Sequence, residues 1–199
     1  MAQVPGPDRR FRSPHRAGAL VAIDPERTFR PLRIALLTVS DTRTAADDTS
    51  GDILAERIKT TGHTLAARAI ERDDVPRICD RLNNWIDDPQ IDCVISTGGT
   101  GLTGRDVTPE ALDRIKDAGE FRDIPGFGEL FRWLSYKTIG TSTIQSRAMA
   151  VLARGTYIFA LPGSNGAVKD GWDLILSEQL DSRNRPCNFV ELMPRLREK

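Results

Sequence analysis

The amino-acid sequence predicts an α/β fold, a three-layer α/β/α sandwich with a mostly parallel sheet. Apolar runs such as residues 33–39 and 156–161 carry few polar side chains, which is typical of strands buried on both faces. Amphipathic segments separate these runs, and such alternation favours parallel strands joined by helices. The length of 199 residues suits one domain with a tail rather than two full domains.

Each element has its own sequence signal. Apolar runs predict strands at residues 33–39, 64–70, 91–95 and 156–161. Helical periodicity predicts helices at residues 50–60, 75–86, from 108 onward, 130–136, 142–153 and 167–180. Asp74 and Thr108 are predicted helix caps because each stands just before a first-turn proline. Gly62 predicts a helix end, and residues 125–129 predict a turn.

The chain divides into a flexible N-terminal tail (1–30), one domain (31–190) and a C-terminal tail (191–199). The first segment has four prolines and six arginines against three acids, without periodicity. It is interpreted as a disordered extension or as an arm that docks on a neighbouring subunit. The alternative is an arm that binds polyanions through its arginines.

Charge and cysteine usage exclude several classes of protein. The 28 basic and 28 acidic residues give zero net charge, which argues against a nucleic-acid binder. The three cysteines form no C-x-x-C pair, so a structural zinc site or a disulfide framework is not expected. No apolar run reaches the roughly 20 residues that span a bilayer, and no apolar signal core follows the first residues. We expect a cytoplasmic protein without nucleic-acid or membrane partners.

The functional signal lies at the ends of the predicted strands. Polar or glycine-rich residues follow all four of them, at 40–41, 73–74, 97–101 and 162–163. In open parallel sheets, ligands bind outside the carboxyl ends of the strands. We therefore expect these four segments to form one binding site.

The segment Thr97–Gly101, with the sequence Thr-Gly-Gly-Thr-Gly, is the strongest local motif. Three glycines directly after a strand allow the backbone N–H groups to surround an anionic oxygen, most often of a phosphate. The order of residues is neither that of a Walker loop nor that of a dinucleotide fingerprint. A tight strand-to-helix turn without a ligand explains the glycines equally well.

Two carboxylates follow these loops. Asp106 comes soon after the glycines and just before a helix, where a carboxylate either holds a phosphate-bridging magnesium ion or caps the helix. Asp73 and Asp74 end the neighbouring strand, and one of them completes a metal site if the other caps. For the pair alone, a solvated loop is the alternative.

Seven short segments occur in one order along the domain: Thr-Val-Ser-Asp (38–41), Asp-Thr-Ser-Gly (48–51), Ser-Thr-Gly-Gly-Thr-Gly (96–101), Arg-Asp-Val-Thr-Pro-Glu (105–110), Pro-Gly-Phe-Gly-Glu (125–129), Gln-Ser-Arg-Ala (145–148) and Leu-Pro-Gly-Ser (161–164). Together they resemble the MoaB/MogA family of molybdenum cofactor biosynthesis proteins over roughly residues 30–190. The closing residues 180–189, Leu-Asp-Ser-Arg-Asn-Arg-Pro-Cys-Asn-Phe, resemble its MoaB branch.

The resemblance implies a molybdopterin-binding fold, homotrimers or homohexamers, and other enzymes of the cofactor pathway as partners. It implies a nucleotidyltransferase, in which the phosphate of molybdopterin attacks the α-phosphate of ATP and releases pyrophosphate with the help of Mg²⁺. The alternative is a non-catalytic molybdopterin-binding module of the same pathway, because some members of the MoaB branch lack the activity.

The resemblance also assigns roles to residues. The two essential aspartates of the family fall on Asp73 and Asp106, which are the expected catalytic residues and Mg²⁺ ligands. For Arg147, a phosphate clamp and an intersubunit salt bridge both remain open. The expected substrate-binding residues are Ser40, Asp41, Thr97, Gly98, Gly99, Thr100, Gly101, Thr108, Pro109, Glu110, Glu129, Ser146, Arg147, Pro162, Gly163 and Ser164.

Overall fold

A computed structural model describes residues 22–116, 120–196 and 198, and in it a six-stranded sheet forms the centre of the domain. The strand order is β3-β2-β4-β7-β6-β5. The first four strands in this order are parallel, and β6 is antiparallel to both of its neighbours. The strands are β2 (Arg33–Val39), β3 (Thr64–Glu71), β4 (Cys93–Thr97), β5 (Phe121–Asp123), β6 (Met149–Ala153) and β7 (Thr156–Leu161), preceded by a short β1 (Ala22–Ile23).

Helices cover both faces of this sheet, which confirms the predicted three-layer α/β fold. Successive side chains of β2 point to opposite faces, so Leu36 packs in one core and Leu37 in the other, both fully buried. Helices α1, α4 and α5 contribute to the first core, and α2 and α3 to the second. The helices are α1 (Thr49–Thr60), α2 (Val75–Ile86), α3 (Thr108–Lys116), α4 (Pro125–Ile139), α5 (Asn165–Gly171), α6 (Ser177–Gln179) and α7 (Phe189–Leu192).

The predicted helix signals largely determine where the helices begin and end. The Asp74 carboxylate accepts a hydrogen bond from the Arg77 N–H at 3.0 Å, which confirms it as the cap of α2. Helix α1 ends at Thr60, and Gly62 follows with a φ of 89°, a left-handed conformation that favours glycine. Between α5 and α6 the chain continues as a π-helical turn, Trp172–Leu176.

Two predicted elements are wrong. Residues 142–153 are not a helix, because the 3₁₀ segment Gly140–Gln145 leads into strand β6. Residues 125–129 are not a turn, because α4 begins at Pro125 itself. The sequence of β6, Met-Ala-Val-Leu-Ala, is rich in helix formers, and its pairing with β5 and β7 overrides that preference.

A second, two-stranded sheet joins the two ends of the described chain. Strand β1 pairs antiparallel with β8 (Asn184–Arg185), and Asp24 forms an ion pair with Arg185 at 2.9 Å. Residues 1–21 of the predicted tail lie outside the described residues. Residues 22–30, from the same segment, pack against the C-terminal part of the chain.

The aromatic and cysteine side chains differ in burial. Trp172 is almost completely buried, whereas Trp133 on α4 is 61% exposed. Cys79 and Cys93 are buried free thiols, and Cys187 is an exposed one. Among the helices of the described residues, none is both long and apolar enough to cross a bilayer.

Truncation of Leu176 tests the core packing. This side chain is fully buried, whereas Leu174, in the same π-helical turn, is 46% exposed. We expect Leu176→Ala to lower the free energy of unfolding by about 2–5 kcal/mol, because a core cavity forms. Leu174→Ala is the matched control, with a change of about 0.5 kcal/mol. Urea unfolding followed by circular dichroism measures both, and equal losses would contradict the assigned burial.

Candidate functional site

Loops from four parallel strands meet in one cavity at the carboxyl edge of the sheet. The loops follow β2, β3, β4 and β7, as the positions of the polar and glycine-rich segments predict. The cavity has a volume of about 470 Å³, and its lining is more polar than apolar. Its lining residues are Val39, Ser40, Thr42, Arg43, Asp73, Gly98, Gly99, Thr100, Gly101, Arg105, Asp106, Pro162 and Gly163. We call this space the polar cavity.

The glycine loop requires its first two glycines for backbone conformation and for space. Gly98 and Gly99 have φ values of 103° and 64°, in the left-handed region. A Cβ at position 98 would lie 2.1 Å from the carbonyl oxygen of Val39. The Gly98 N–H donates to the Leu161 carbonyl at 3.0 Å, so this residue lies tightly between the ends of β2 and β7.

The start of helix α3 supports this loop from behind. The Thr108 hydroxyl donates to the Gly98 carbonyl and its N–H to the Gly99 carbonyl, both at 2.9 Å. Thr108 is fully buried, and its side chain therefore holds the loop instead of capping the helix. The loop residues that line the cavity are Gly98, Gly99, Thr100 and Gly101, three of which have no side chain.

Asp106 is a loop-bound carboxylate that lines the polar cavity. Its Oδ2 accepts hydrogen bonds from the Thr103 N–H at 2.9 Å and from the Thr103 hydroxyl at 2.6 Å. Burial raises the pKa of Asp106, but the hydrogen bonds from Thr103 and Gly101 outweigh that effect, and the pKa lies below its usual value. Asp106 is therefore anionic at neutral pH.

Asp73 lines the same cavity in a different electrostatic environment. Its pKa is raised, first by burial and then by the negative charge of Asp41. Asp74 lies next to it but caps α2, so the structure places Asp73, and not Asp74, at the cavity. Two neighbouring carboxylates whose pKa values move in opposite directions are typical of functional sites.

Two arginines line the cavity, and the sequence argument identified neither. The Arg105 guanidinium pairs with Asp41, with Nη2 2.5 Å from Oδ2, and this hydrogen bonding lowers the pKa of Asp41. The Arg43 guanidinium donates to the Gly163 carbonyl at 2.8 Å. Arg43 lies in a polar loop with no recognisable motif, so only its position in the fold reveals it.

Arg147 makes several contacts to the segment that follows β4 and to the start of α3. Its guanidinium donates to the carbonyls of Gly101 at 2.7 Å and Asp106 at 2.6 Å, and pairs with Glu110 at 2.5 Å. Its own N–H donates to the Thr100 carbonyl at 2.9 Å. Arg147 lines neither cavity of the site, and its two predicted roles, a phosphate clamp or an intersubunit salt bridge, stay predictions. Arg147 therefore fixes the 100–106 loop from outside.

A second, largely apolar cavity adjoins the polar one. It has a volume of about 210 Å³ and shares Thr100, Gly101 and Pro162 with the polar cavity. The Thr100 hydroxyl is buried at this boundary without a hydrogen-bond partner among the described residues. The remaining lining residues are Phe131, Ser135, Ile139, Ser142, Thr143, Gln145, Ser146, Ser164, Ala167 and Asp170. We call this space the apolar cavity.

The other predicted site residues surround the cavities without lining them. Thr97 is buried, and its hydroxyl donates to the Pro162 carbonyl at 3.1 Å. Pro109 is buried in the first turn of α3. Glu129 is exposed on α4 and lines neither cavity. Asp41 and Glu110 act as ion-pair partners of Arg105 and Arg147.

The donor set of the polar cavity suits a hard cation that also binds phosphates. Among the described residues, no group of three His, Cys, Asp or Glu side chains is close enough to hold a metal ion by itself. Asp73 and Asp106 supply two carboxylates. Mg²⁺ is commonly held by one or two carboxylates together with substrate phosphates and water, so these two residues fit Mg²⁺ bound with a phosphate ligand.

Known proteins are similar to this chain in sequence and in fold. Residues 35–182 match the family described as "Probable molybdopterin binding domain". The chain is 47% identical over 161 residues to molybdenum cofactor biosynthesis protein B of Escherichia coli K12, covering 81% of this chain and 92% of that protein.

Solved structures give the same result. A crystal structure of molybdenum cofactor biosynthesis protein B has a TM-score of 0.76 at 33% identity, covering 87% of this chain and 100% of that one. The tungsten cofactor synthesizing protein MoaB from Pyrococcus furiosus has a TM-score of 0.65 at 34% identity, covering 75% of this chain and 92% of that one.

The raised pKa of Asp73 predicts a pH-dependent gain in stability on neutralising it. Because the native state binds this proton more tightly than the unfolded chain does, Asp73 lowers stability as pH rises above about 4. We expect Asp73→Asn to raise the melting temperature at pH 7 relative to wild type, and the difference to disappear below about pH 4. Calorimetry across this range measures it, and a pH-independent difference would contradict the assignment.

Proposed function

The chain belongs to the molybdopterin-binding MoaB/MogA family, and on that premise we propose that it transfers AMP from ATP to molybdopterin with the help of Mg²⁺. Family membership gives the chain a role in molybdenum cofactor biosynthesis. The finer assignment rests on one observation above all. A glycine loop and two carboxylates meet in a polar cavity that opens onto an apolar one.

The polar cavity has the properties that a phosphate chain requires. The glycine loop presents main-chain groups to it, and Arg43 and Arg105 add positive charge. Phosphoryl-type transfer needs little covalent chemistry from a protein, and it depends on alignment and on neutralisation of charge. These residues supply both functions for the α-, β- and γ-phosphates of ATP.

The two carboxylates give Mg²⁺ a place beside those phosphates. Asp73 and Asp106 would hold the ion, and Asp106 is already ionised at neutral pH because of its hydrogen bonds. When bound, Mg²⁺ neutralises the negative charge that develops on the phosphate oxygens. The Thr103 and Gly101 donors keep the Asp106 carboxylate at one position, which reduces the reorganisation needed on binding.

The apolar cavity is the proposed place for the pterin. Phe131 and Ile139 offer apolar walls, and Ser135, Ser142 and Gln145 offer polar groups to the edge of a heterocycle. The phosphate of the pterin would then approach the boundary at Thr100. Attack of that phosphate oxygen on the α-phosphorus forms one P–O bond, breaks the bond to the β-phosphate and releases pyrophosphate.

Turnover of α-labelled ATP with molybdopterin tests the reaction. We expect adenylylated molybdopterin and pyrophosphate from wild type, with no product after removal of Mg²⁺ by a chelator. We expect Asp106→Asn to lower kcat by about 100-fold or more, because charge stabilisation in the site is lost. Asp113→Asn is the matched control, since this aspartate is exposed on α3 outside both cavities.

Two outcomes would overturn the reaction. Molybdopterin binding by wild type without transfer of AMP would make the chain a non-catalytic binding module of the pathway. Equal activity of Asp106→Asn and Asp113→Asn would remove Asp106 from the active site.

We further propose that the chain forms homo-oligomers, trimers or hexamers, through an apolar strip on α4 and the segment after it. The side chains of Trp133, Tyr136, Ile139 and Ile144 are 61%, 57%, 54% and 79% exposed. Trp133, Tyr136 and Ile139 stand three residues apart on α4, and exposed apolar patches of this kind mark protein–protein interaction sites.

A substitution that places a charge in this apolar strip tests the proposed homo-oligomer. We expect Trp133→Glu to shift the protein to a smaller species in analytical ultracentrifugation, because a charge would be buried at the interface. Leu192→Glu places the same charge at an exposed leucine on α7 and is expected to leave the assembly unchanged. A wild-type monomer, or an unchanged mass for Trp133→Glu, would refute this interface.

A further inference from the structure

We propose that Arg43 binds the oligophosphate chain of the nucleotide substrate in the polar cavity. This inference rests on the proposed function, and it assigns to the reaction a residue outside every motif that identified the family. Arg43 follows β2 in a loop of polar residues, and its guanidinium reaches the loop after β7. The inference depends on how the guanidinium is held, and on which positive charges the cavity has.

The local turn directs Arg43 toward the cavity. The Ser40 hydroxyl oxygen accepts hydrogen bonds from the N–H groups of Thr42 at 3.3 Å and Arg43 at 3.2 Å. Ser40 itself is tied to β3, since its N–H donates to the Glu71 carbonyl at 2.8 Å. The backbone of residues 40–43 is therefore fixed to the edge of the sheet, and the Arg43 side chain extends from a defined position.

Three neighbours hold the guanidinium on one side. Nη2 donates to the Gly163 carbonyl at 2.8 Å, Nη1 donates to the Ser50 hydroxyl, and Nη1 lies 3.6 Å from Asp48 Oδ1. The side chain remains 27% exposed, and Arg43 lines the polar cavity. An arginine anchored in this way presents remaining N–H donors to a ligand without losing much side-chain freedom on binding.

Asp48, which lies beside the Arg43 guanidinium, is a fully buried carboxylate whose negative charge is already neutralised by other groups. It accepts from the Thr38 hydroxyl at 2.7 Å, from the Gly51 N–H at 3.0 Å and from Arg68 at 2.8 Å. Burial raises its pKa, but these hydrogen bonds outweigh that effect and the pKa lies below its usual value. Because Arg68 is in direct contact with Asp48 and Arg43 is 0.8 Å farther away (3.6 against 2.8 Å), the charge of Arg43 is less completely neutralised.

The other two arginines near the site each have a close carboxylate partner. Arg105 lines the cavity but forms a close ion pair with Asp41 and is 67% exposed. Arg147 lies behind the loop and pairs with Glu110. Arg43, which also lines the polar cavity, has its carboxylate neighbour Asp48 at the longer distance of 3.6 Å and shares it with Arg68. A phosphate chain would provide a closer anionic partner, with the forked contacts that guanidinium groups form with phosphates.

A purely structural role is the competing explanation. In that case Arg43 only ties the loop after β2 to the loop after β7, through the Gly163 carbonyl. Arg43→Gln separates the two explanations, because the amide can still donate to a carbonyl but carries no charge. Arg57→Gln is the matched control. Arg57 has a similar exposure, 24%, and its ion pair with Asp173 at 2.7 Å belongs to α1 and the π-helical turn, outside the cavity.

Titration calorimetry of the full chain with inorganic pyrophosphate and Mg²⁺ tests the proposal. We expect wild type and Arg57→Gln to bind equally, and Arg43→Gln to bind about 10- to 100-fold more weakly, as expected for loss of a charge-assisted contact. We expect Arg43→Lys to bind with intermediate affinity, since the charge remains but the fork is lost. Melting temperatures of all variants, measured in parallel, identify a variant that does not fold.

Several results would overturn the proposal. They are an absence of pyrophosphate binding by wild type, and equal affinities of Arg43→Gln and Arg57→Gln. If Arg43→Gln does not fold, Arg43→Lys decides, and an affinity equal to that of wild type overturns the proposal.

The measurement of pyrophosphate binding does not depend on whether the protein transfers AMP. Pyrophosphate binding that depends on Arg43, without transfer of AMP, would refute the proposed reaction but retain the contact between Arg43 and the phosphates. Transfer of AMP by wild type, together with unchanged pyrophosphate binding by Arg43→Gln, would retain the proposed reaction and refute the phosphate contact of Arg43.

Discussion

The close approach of the Gly98 backbone to the ends of β2 and β7 is the constraint on which the site depends. Its N–H binds the Leu161 carbonyl, and a Cβ would lie 2.1 Å from the Val39 carbonyl oxygen. Gly163 approaches the same residue, with a Cβ position 3.2 Å from the Gly98 Cα. A side chain at position 98 would separate these strand ends and with them the walls of the polar cavity.

The charged side chains around this contact differ in how fully neighbouring groups stabilise their charges. Asp106 is stabilised as an anion by hydrogen bonds, while burial and the charge of Asp41 make ionisation of Asp73 costly. Arg105 has a close carboxylate partner, and the carboxylate neighbour of Arg43 lies at the longer distance of 3.6 Å. An arrangement of this kind favours a bound phosphate and cation over the protein groups alone, which is the expected trade-off between stability and function.

Sequence reasoning located the strand ends and their motifs because those signals are local. Buried strands are apolar, Asp74 caps a helix before Pro76, and glycines follow β4 directly. It failed where tertiary contacts override local preference. Residues 149–153 contain helix formers, yet they form β6 between two other strands. Arg43 was missed since nothing in its loop distinguishes one polar residue from another.

The sequence by itself determined the α/β class, the order of most elements and the convergence of four loops, because hydrophobic period and strand direction fix these features. Only the tertiary structure decided which carboxylate faces the cavity, since Asp73 and Asp74 are neighbours that point to different partners. It also made Arg147 an internal support and Arg43 a cavity residue. Such roles depend on contacts across 40 or more residues of sequence, which no local pattern records.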